Sequence, residues 1–133
     1  MRTFGLAEAN ALLPKVSSLM GELLQVRRET AVAHLELEAL QRKPSTSGRL
    51  QTTLAQNAGV LQERVIALIE KLHALGCVVK DVDLGLVDFP SIANGALINL
   101  CWKFGEPSIE YWHRMDEGFA WRKPIDELTH PGA

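Results

Sequence analysis

No stretch of this chain approaches the roughly 18 consecutive apolar residues that a membrane span requires. The N-terminal MRTFGLAEAN also lacks the apolar run that follows the basic start of an export signal. Basic residues are not gathered either: 14 Lys and Arg are interspersed with 16 Asp and Glu, for a net charge of -2. There is therefore no sustained positive face to neutralise a row of phosphates. Membrane and nucleic acid are set aside as partners, and the expected location is the cytoplasm. Cysteine is scarce. Cys77 and Cys101 have neither Cys-x-x-Cys spacing nor a secretory context, which predicts two reduced thiols rather than a disulfide framework. Gly-x-Ser-x-Gly, Gly-x-Gly-x-x-Gly and a Gly-rich loop ending in Gly-Lys-Ser or Gly-Lys-Thr are all missing, so no motif specifies a reaction.

What is present is helical periodicity. Val16, Leu19, Leu23, Val26, Thr30, Ala33, Leu37 and Leu40 step by threes and fours, as do Leu54, Ala58, Leu61, Val65, Leu68, Leu72 and Leu75. Each set forms one narrow stripe facing a partner helix. The linker Lys43 to Gly48 separates them and is short enough to make them antiparallel neighbours. Gly5 is the expected N-cap of a short helix over Leu6 to Leu12, with Glu8 three residues on and Phe4 before it. Pro14 predicts a break near Leu13 and a long helix from there to about Arg42. The second helix is expected from about Arg49 to Leu75, with Gly76 closing it. Leu13, Met20 and Leu24 widen one stripe, and Ile66 and Ile69 the other, at the same end of the hairpin, where a third layer must cover them.

That layer comes from the second half, where the period changes to two. Ile98, Leu100, Trp102 and Phe104 fall on one face of a strand, and Asn99, Cys101 and Lys103 on the other. Cys101 is accordingly expected to be more accessible than Cys77. Asn94-Gly95 is a two-residue hairpin signal, with strands expected at Leu86 to Phe89, Cys77 to Lys80 and Ser108 to Met115. The predicted fold is α+β in a single domain over 1–133. It has a coiled-coil-like helical hairpin over about 5–75, a four-stranded antiparallel meander over about 77–115 packed on its base, and an irregular tail over 124–133.

Several short strings in this order carry a resemblance. Leu6-Ala7-Glu8-Ala9-Asn10-Ala11-Leu12-Leu13-Pro14, Gly85-Leu86-Val87-Asp88-Phe89-Pro90, Leu100-Cys101-Trp102, Gly105-Glu106, Trp112-His113 and Gly118-Phe119-Ala120 together resemble the bacterial domain-of-unknown-function family 2203. The resemblance covers all but the middle of the hairpin. It departs from the family pattern at Gly5, where a hydroxyl N-cap is usual, and at Trp121, where a glycine usually precedes Arg122. The family is uncharacterised, so the resemblance implies kinship and no activity.

Polar groups concentrate between Lys80 and Lys123. Asp88, Glu106, His113, Trp112 and Arg122 are the candidate ligand-binding residues, with His113 as metal ligand or general base. Glu110-x-x-His113 has the spacing of di-iron carboxylate sites. Glu106, Glu110 and His113 are thus the candidate metal ligands, although an odd separation sends Glu110 and His113 to opposite faces of a strand. No cofactor motif is evident; a divalent metal is the one cofactor these groups could hold. His34 and His73 fall at opposite ends of the hairpin and are expected on helix surfaces. The chain is read first as a non-enzymatic interaction or assembly module, dimeric or bound to another protein through its hairpin, with Leu37, Leu40, Leu50 and Leu54 as the interface. The alternative is a small-ligand or metal-binding protein, or an enzyme, with a carboxylate and histidine site on the meander.

Overall fold

The computed structural model describes residues 2–43 and 48–128; residues 44–47 of the expected linker, and 129–133 of the expected tail with His130, lie outside the described residues. Two helices, α1 (Leu6–Gln41) and α2 (Gly48–Ala74), precede strands β1 (Val78–Asp81), β2 (Leu86–Ala93), β3 (Ala96–Lys103), β4 (Tyr111–Arg114) and β5 (Lys123–Pro124). The strands form one antiparallel sheet in sequence order. The fold is α+β, a helical hairpin followed by a meander, as the change of period requires. No described helix is long and apolar enough to cross a membrane.

Every residue of the two predicted stripes is buried or half-buried. Contacts of Arg2 with the Leu75 carbonyl at 2.6 Å and of Arg64 with Glu22 at 3.5 Å show the helices running antiparallel. At the base, Leu13, Val16, Met20, Leu23, Leu68 and Leu72 join Val87, Phe89, Leu100 and Trp102 of the sheet in one apolar cluster. Trp102 is 1% exposed, and its indole N–H donates to the Glu106 carbonyl at 2.9 Å. Truncating such a side chain costs about 3–5 kcal/mol. Ile66 was expected under this layer but is 50% exposed, whereas Leu68 and Leu72 of α2 are buried in the core and Ile69 packs against it as expected.

The break expected near Leu13 does not occur: α1 is continuous for 36 residues with Pro14 inside it. Proline lacks the N–H that would bond the Asn10 carbonyl. However, Ala9, Leu13, Val16 and Met20 form an unbroken buried stripe across it, and that burial holds both flanks to the core. Gly5 is the N-cap, its N–H donating to Glu8 Oε1 at 3.3 Å. Ahead of it, Phe4 N–H donates to the Pro90 carbonyl at 2.7 Å and its own carbonyl accepts from Ser91 Oγ, docking the extended N-terminus on β2.

Asn94 and Gly95 take φ of 52° and 77°, the positive values a two-residue hairpin demands, and pair Ala93 with Ala96. Gly76, at φ 100°, ends α2 as expected. The meander has five strands rather than four. The chain returns after β4, so that Tyr111 and Trp112 pair with Pro124 and Lys123, and Leu128 packs on the core. The first part of the expected irregular tail therefore belongs to the sheet.

A buried Asp, Cys and His cluster beneath the return segment

Strand register assembles the site. On β2, Val87 and Phe89 face the helices, so Asp88 faces away from them. The two-residue turn at Asn94-Gly95 places Cys101 opposite Asp88, and β4 pairs with β3 so that His113 stands opposite Asn99. Asp88, Cys101 and His113 thus share the outer face of the sheet. This face is not open to solvent: Asp88 and Cys101 are each 1% exposed and His113 2%.

The cover is the segment between β4 and β5. Glu117, Gly118 and Phe119 lie over the cluster. Glu117 Oε1 accepts from the Arg114 N–H at 3.0 Å and from Lys123 Nζ at 2.9 Å, holding the start of the segment. Those two donors also hold its carboxyl below the usual range. At the other end the Arg122 guanidinium stacks 3.9 Å from the Tyr111 ring and 4.8 Å from Phe119, and its Nη2 donates to Glu106 Oε2 at 2.6 Å. This cover is why Cys101, expected to be the more accessible thiol, is as buried as Cys77.

Within the cluster His113 Nδ1 lies 2.8 Å from the Arg114 carbonyl oxygen, to which it can only donate. That fixes Nε2 as the nitrogen facing Asp88 Oδ1, at 3.0 Å. The bond to Asp88, reinforced by Cys101, favours the imidazolium and pushes the His113 pKa up to about 10 despite burial. Burial pushes the Cys101 thiol up, with His113 and Arg122 opposing it. Asp88 Oδ2 is buried without a hydrogen-bond partner. One ligand atom from each residue lies within 4.8 Å of the other two, so closing onto a tetrahedral ion, whose ligands stand about 3.3–3.8 Å apart, needs side-chain shifts of up to about 1 Å. Carboxylate oxygen, thiolate sulfur and imidazole nitrogen together suit zinc and its first-row neighbours rather than magnesium or calcium.

The model of an uncharacterized conserved protein family, DUF2203, matches residues 2–125, which include the hairpin, β1 to β5 and all three cluster residues. The chain belongs to DUF2203. No curated protein and no solved structure matches it.

In this DUF2203 chain the other candidate residues are dispersed. Glu106 is engaged by Arg122 and by the Lys103 N–H at 2.6 Å, so both Glu106 and Arg122 belong to the clamp on the cover. Trp112 pairs with Leu100 on the helix-facing side, across the sheet from Asp88 and His113. Glu110 is exposed, its carbonyl accepting from the Ile125 N–H. Among the described residues neither Glu106 nor Glu110 joins the metal-type cluster, whose third member is Cys101. Sequence reasoning missed Cys101 as a site residue although the signal was there: counting outward from a two-residue turn at Asn94-Gly95 puts it opposite Asp88.

Proposed function

We propose that this chain is a transition-metal-binding protein that holds a zinc-type ion through an Asp88 carboxylate oxygen, Cys101 Sγ and His113 Nε2. The observation that carries the reading is the buried convergence of three different ligand chemistries, beside which the second Asp88 oxygen, Oδ2, is buried without a partner. The Arg114 carbonyl on Nδ1 supports it, since metal-bound histidines characteristically donate their second N–H in this way. The same geometry argues against a cysteine nucleophile activated by a relay. A relay needs one imidazole nitrogen on the thiol and the other on the carboxylate, whereas here Nε2 meets Asp88 and Nδ1 is taken by a backbone carbonyl. A reducing compartment such as the cytoplasm would keep Cys101 available as a ligand.

Elemental analysis of protein purified without chelator, followed by titration with zinc in the presence of a competing chromophoric chelator, tests the reading. One ion per chain is expected, with Cys101→Ser and His113→Gln each weakening binding more than about tenfold. A wild type that neither retains nor takes up zinc or cobalt at micromolar concentrations would remove it.

A second reading concerns the arm formed by the distal parts of α1 and α2, as a self-association module. It is favoured by the exposure of Val32 (54%), Leu35 (66%), Leu50 (47%) and Val60 (56%) beyond the reach of the sheet. Leu37, Leu40 and Leu54 there are only half-buried. Two arms packed about a two-fold axis would cover them in a four-helix arrangement. Light scattering across concentrations tests this. Leu37→Glu with Leu54→Glu should convert a dimer to monomer without unfolding the base, and a wild type monomeric at tens of micromolar excludes it.

A further inference from the structure

Resting on that metal reading, we infer that the centre keeps one coordination position open toward a small pocket and takes there an oxyanion whose second contact is Lys80. The protein supplies three ligands, and among the described residues no further carboxylate, thiol or imidazole joins them. A tetrahedral ion therefore has a fourth position to fill. Beside the cluster lies a pocket of about 260 Å³, walled by Lys80, Leu86, Glu117, Gly118 and Phe119 and floored by the three ligand residues. An exogenous ligand reaches the ion from this side.

Charge decides what kind of ligand. A divalent ion with one carboxylate and one thiolate is neutral, so an entering anion needs another cation. Lys80 provides it: exposed at the pocket wall, its ammonium has no hydrogen bond or ion pair among the described residues. Its position is a consequence of the sheet. Val79 pairs with Val87 and Asp81 with Leu86, leaving Lys80 as the extra residue of a β-bulge outside the ladder. Bulges of this kind re-aim side chains beside functional sites. Glu117 does not compete for Lys80 as a free charge, since Lys123 and the Arg114 N–H already engage it. Leu86 and Phe119 give the pocket an apolar wall, and its volume limits the ligand to a small molecule. The shared chemistry is a small oxyanion, and carboxylate and phosphate are its two candidate sources.

Cobalt(II) loaded into the full chain reports both steps. Its thiolate charge-transfer band registers the ion on Cys101, and its ligand-field bands respond to a change of the fourth ligand. Acetate, butyrate and inorganic phosphate are titrated separately, the first two against the third distinguishing carboxylate from phosphate. A saturable shift of the ligand-field bands with at least one of them is expected. Lys80→Met should weaken it about tenfold or more, the loss of one charge-assisted contact, with recovery in Lys80→Arg. Cobalt bands that no oxyanion moves, or that move equally in Lys80→Met, overturn the inference and leave the metal reading standing. A chain that takes up no cobalt overturns both.

Discussion

Asp88 and His113 belong to strands that are not neighbours, yet Oδ1 of one and Nε2 of the other meet at 3.0 Å diagonally across β3. The contact lies at the level of Asn99 and Cys101, so a single turn of side chains from β2, β3 and β4 forms the cluster. If this bond is what holds the imidazolium, Asp88→Asn should lower the His113 pKa by at least about 2 units toward its ordinary value. A titration of the imidazole followed by NMR on metal-free protein measures it. An unchanged pKa would assign the shift to some other group.

The same bond ties stability to pH. A pKa raised in the folded state means the native protein holds a proton that the unfolded chain releases, so stability falls as pH rises. The His113 contribution is complete below the unfolded value of about 6.5 and is lost as pH passes through about 10. Cys77, pushed by burial up to about 11, and Cys101, also pushed up by burial, act in the same direction at the alkaline end. Urea denaturation of metal-free protein should show declining stability from neutral pH upward. His113→Gln should flatten the part of the decline that precedes thiol ionisation; an identical slope in the variant contradicts the assignment.

Zinc should invert the proton balance, because ligation needs neutral His113 and ionised Cys101. Affinity is expected to rise about ten- to a hundredfold per pH unit through the neutral range, as one or two protons are released. Calorimetry in buffers of different ionisation enthalpy counts those protons directly. A pH-independent affinity would mean that neither group ligates.

Both thiols should react slowly in the native state, since Cys77 and Cys101 are equally buried. Added zinc should slow labelling at Cys101 and leave Cys77, whose Sγ contacts the Leu72 carbonyl at 3.2 Å, unaffected. Mass spectrometry of labelled peptides reads each site separately. Equal zinc protection at both would point to a global effect instead of ligation.

Pro14→Ala should stabilise the protein by about 1–2 kcal/mol, restoring a helical N–H to bond the Asn10 carbonyl, partly offset by a more flexible unfolded chain. Pro14 is exposed, so nothing packed is lost. Chemical denaturation decides it; destabilisation would show that proline's restriction of the unfolded chain outweighs the missing helical bond.

The sequence by itself determined the two helical stripes, the hairpin at Asn94-Gly95 and the separation of Trp102 from Cys101 onto opposite faces of β3. These are local or periodic properties: a spacing of three and four, a pair of residues tolerant of positive φ, an alternation of two. Even the pairing of Asp88 with Cys101 follows from counting back through a two-residue turn. The tertiary structure alone decided three things. It carried α1 through Pro14, because burial of Leu13 and Val16 outweighs one missing bond. It set the β3 to β4 register, since a connection from Phe104 to Glu110 is too long to dictate which residue His113 faces. And it folded the chain from Met115 to Arg122 back over the outer face, turning a row of polar side chains that alternation marks as exposed into a buried cluster. Alternation specifies which side of a sheet a residue occupies; whether that side meets water depends on where distant chain comes to rest.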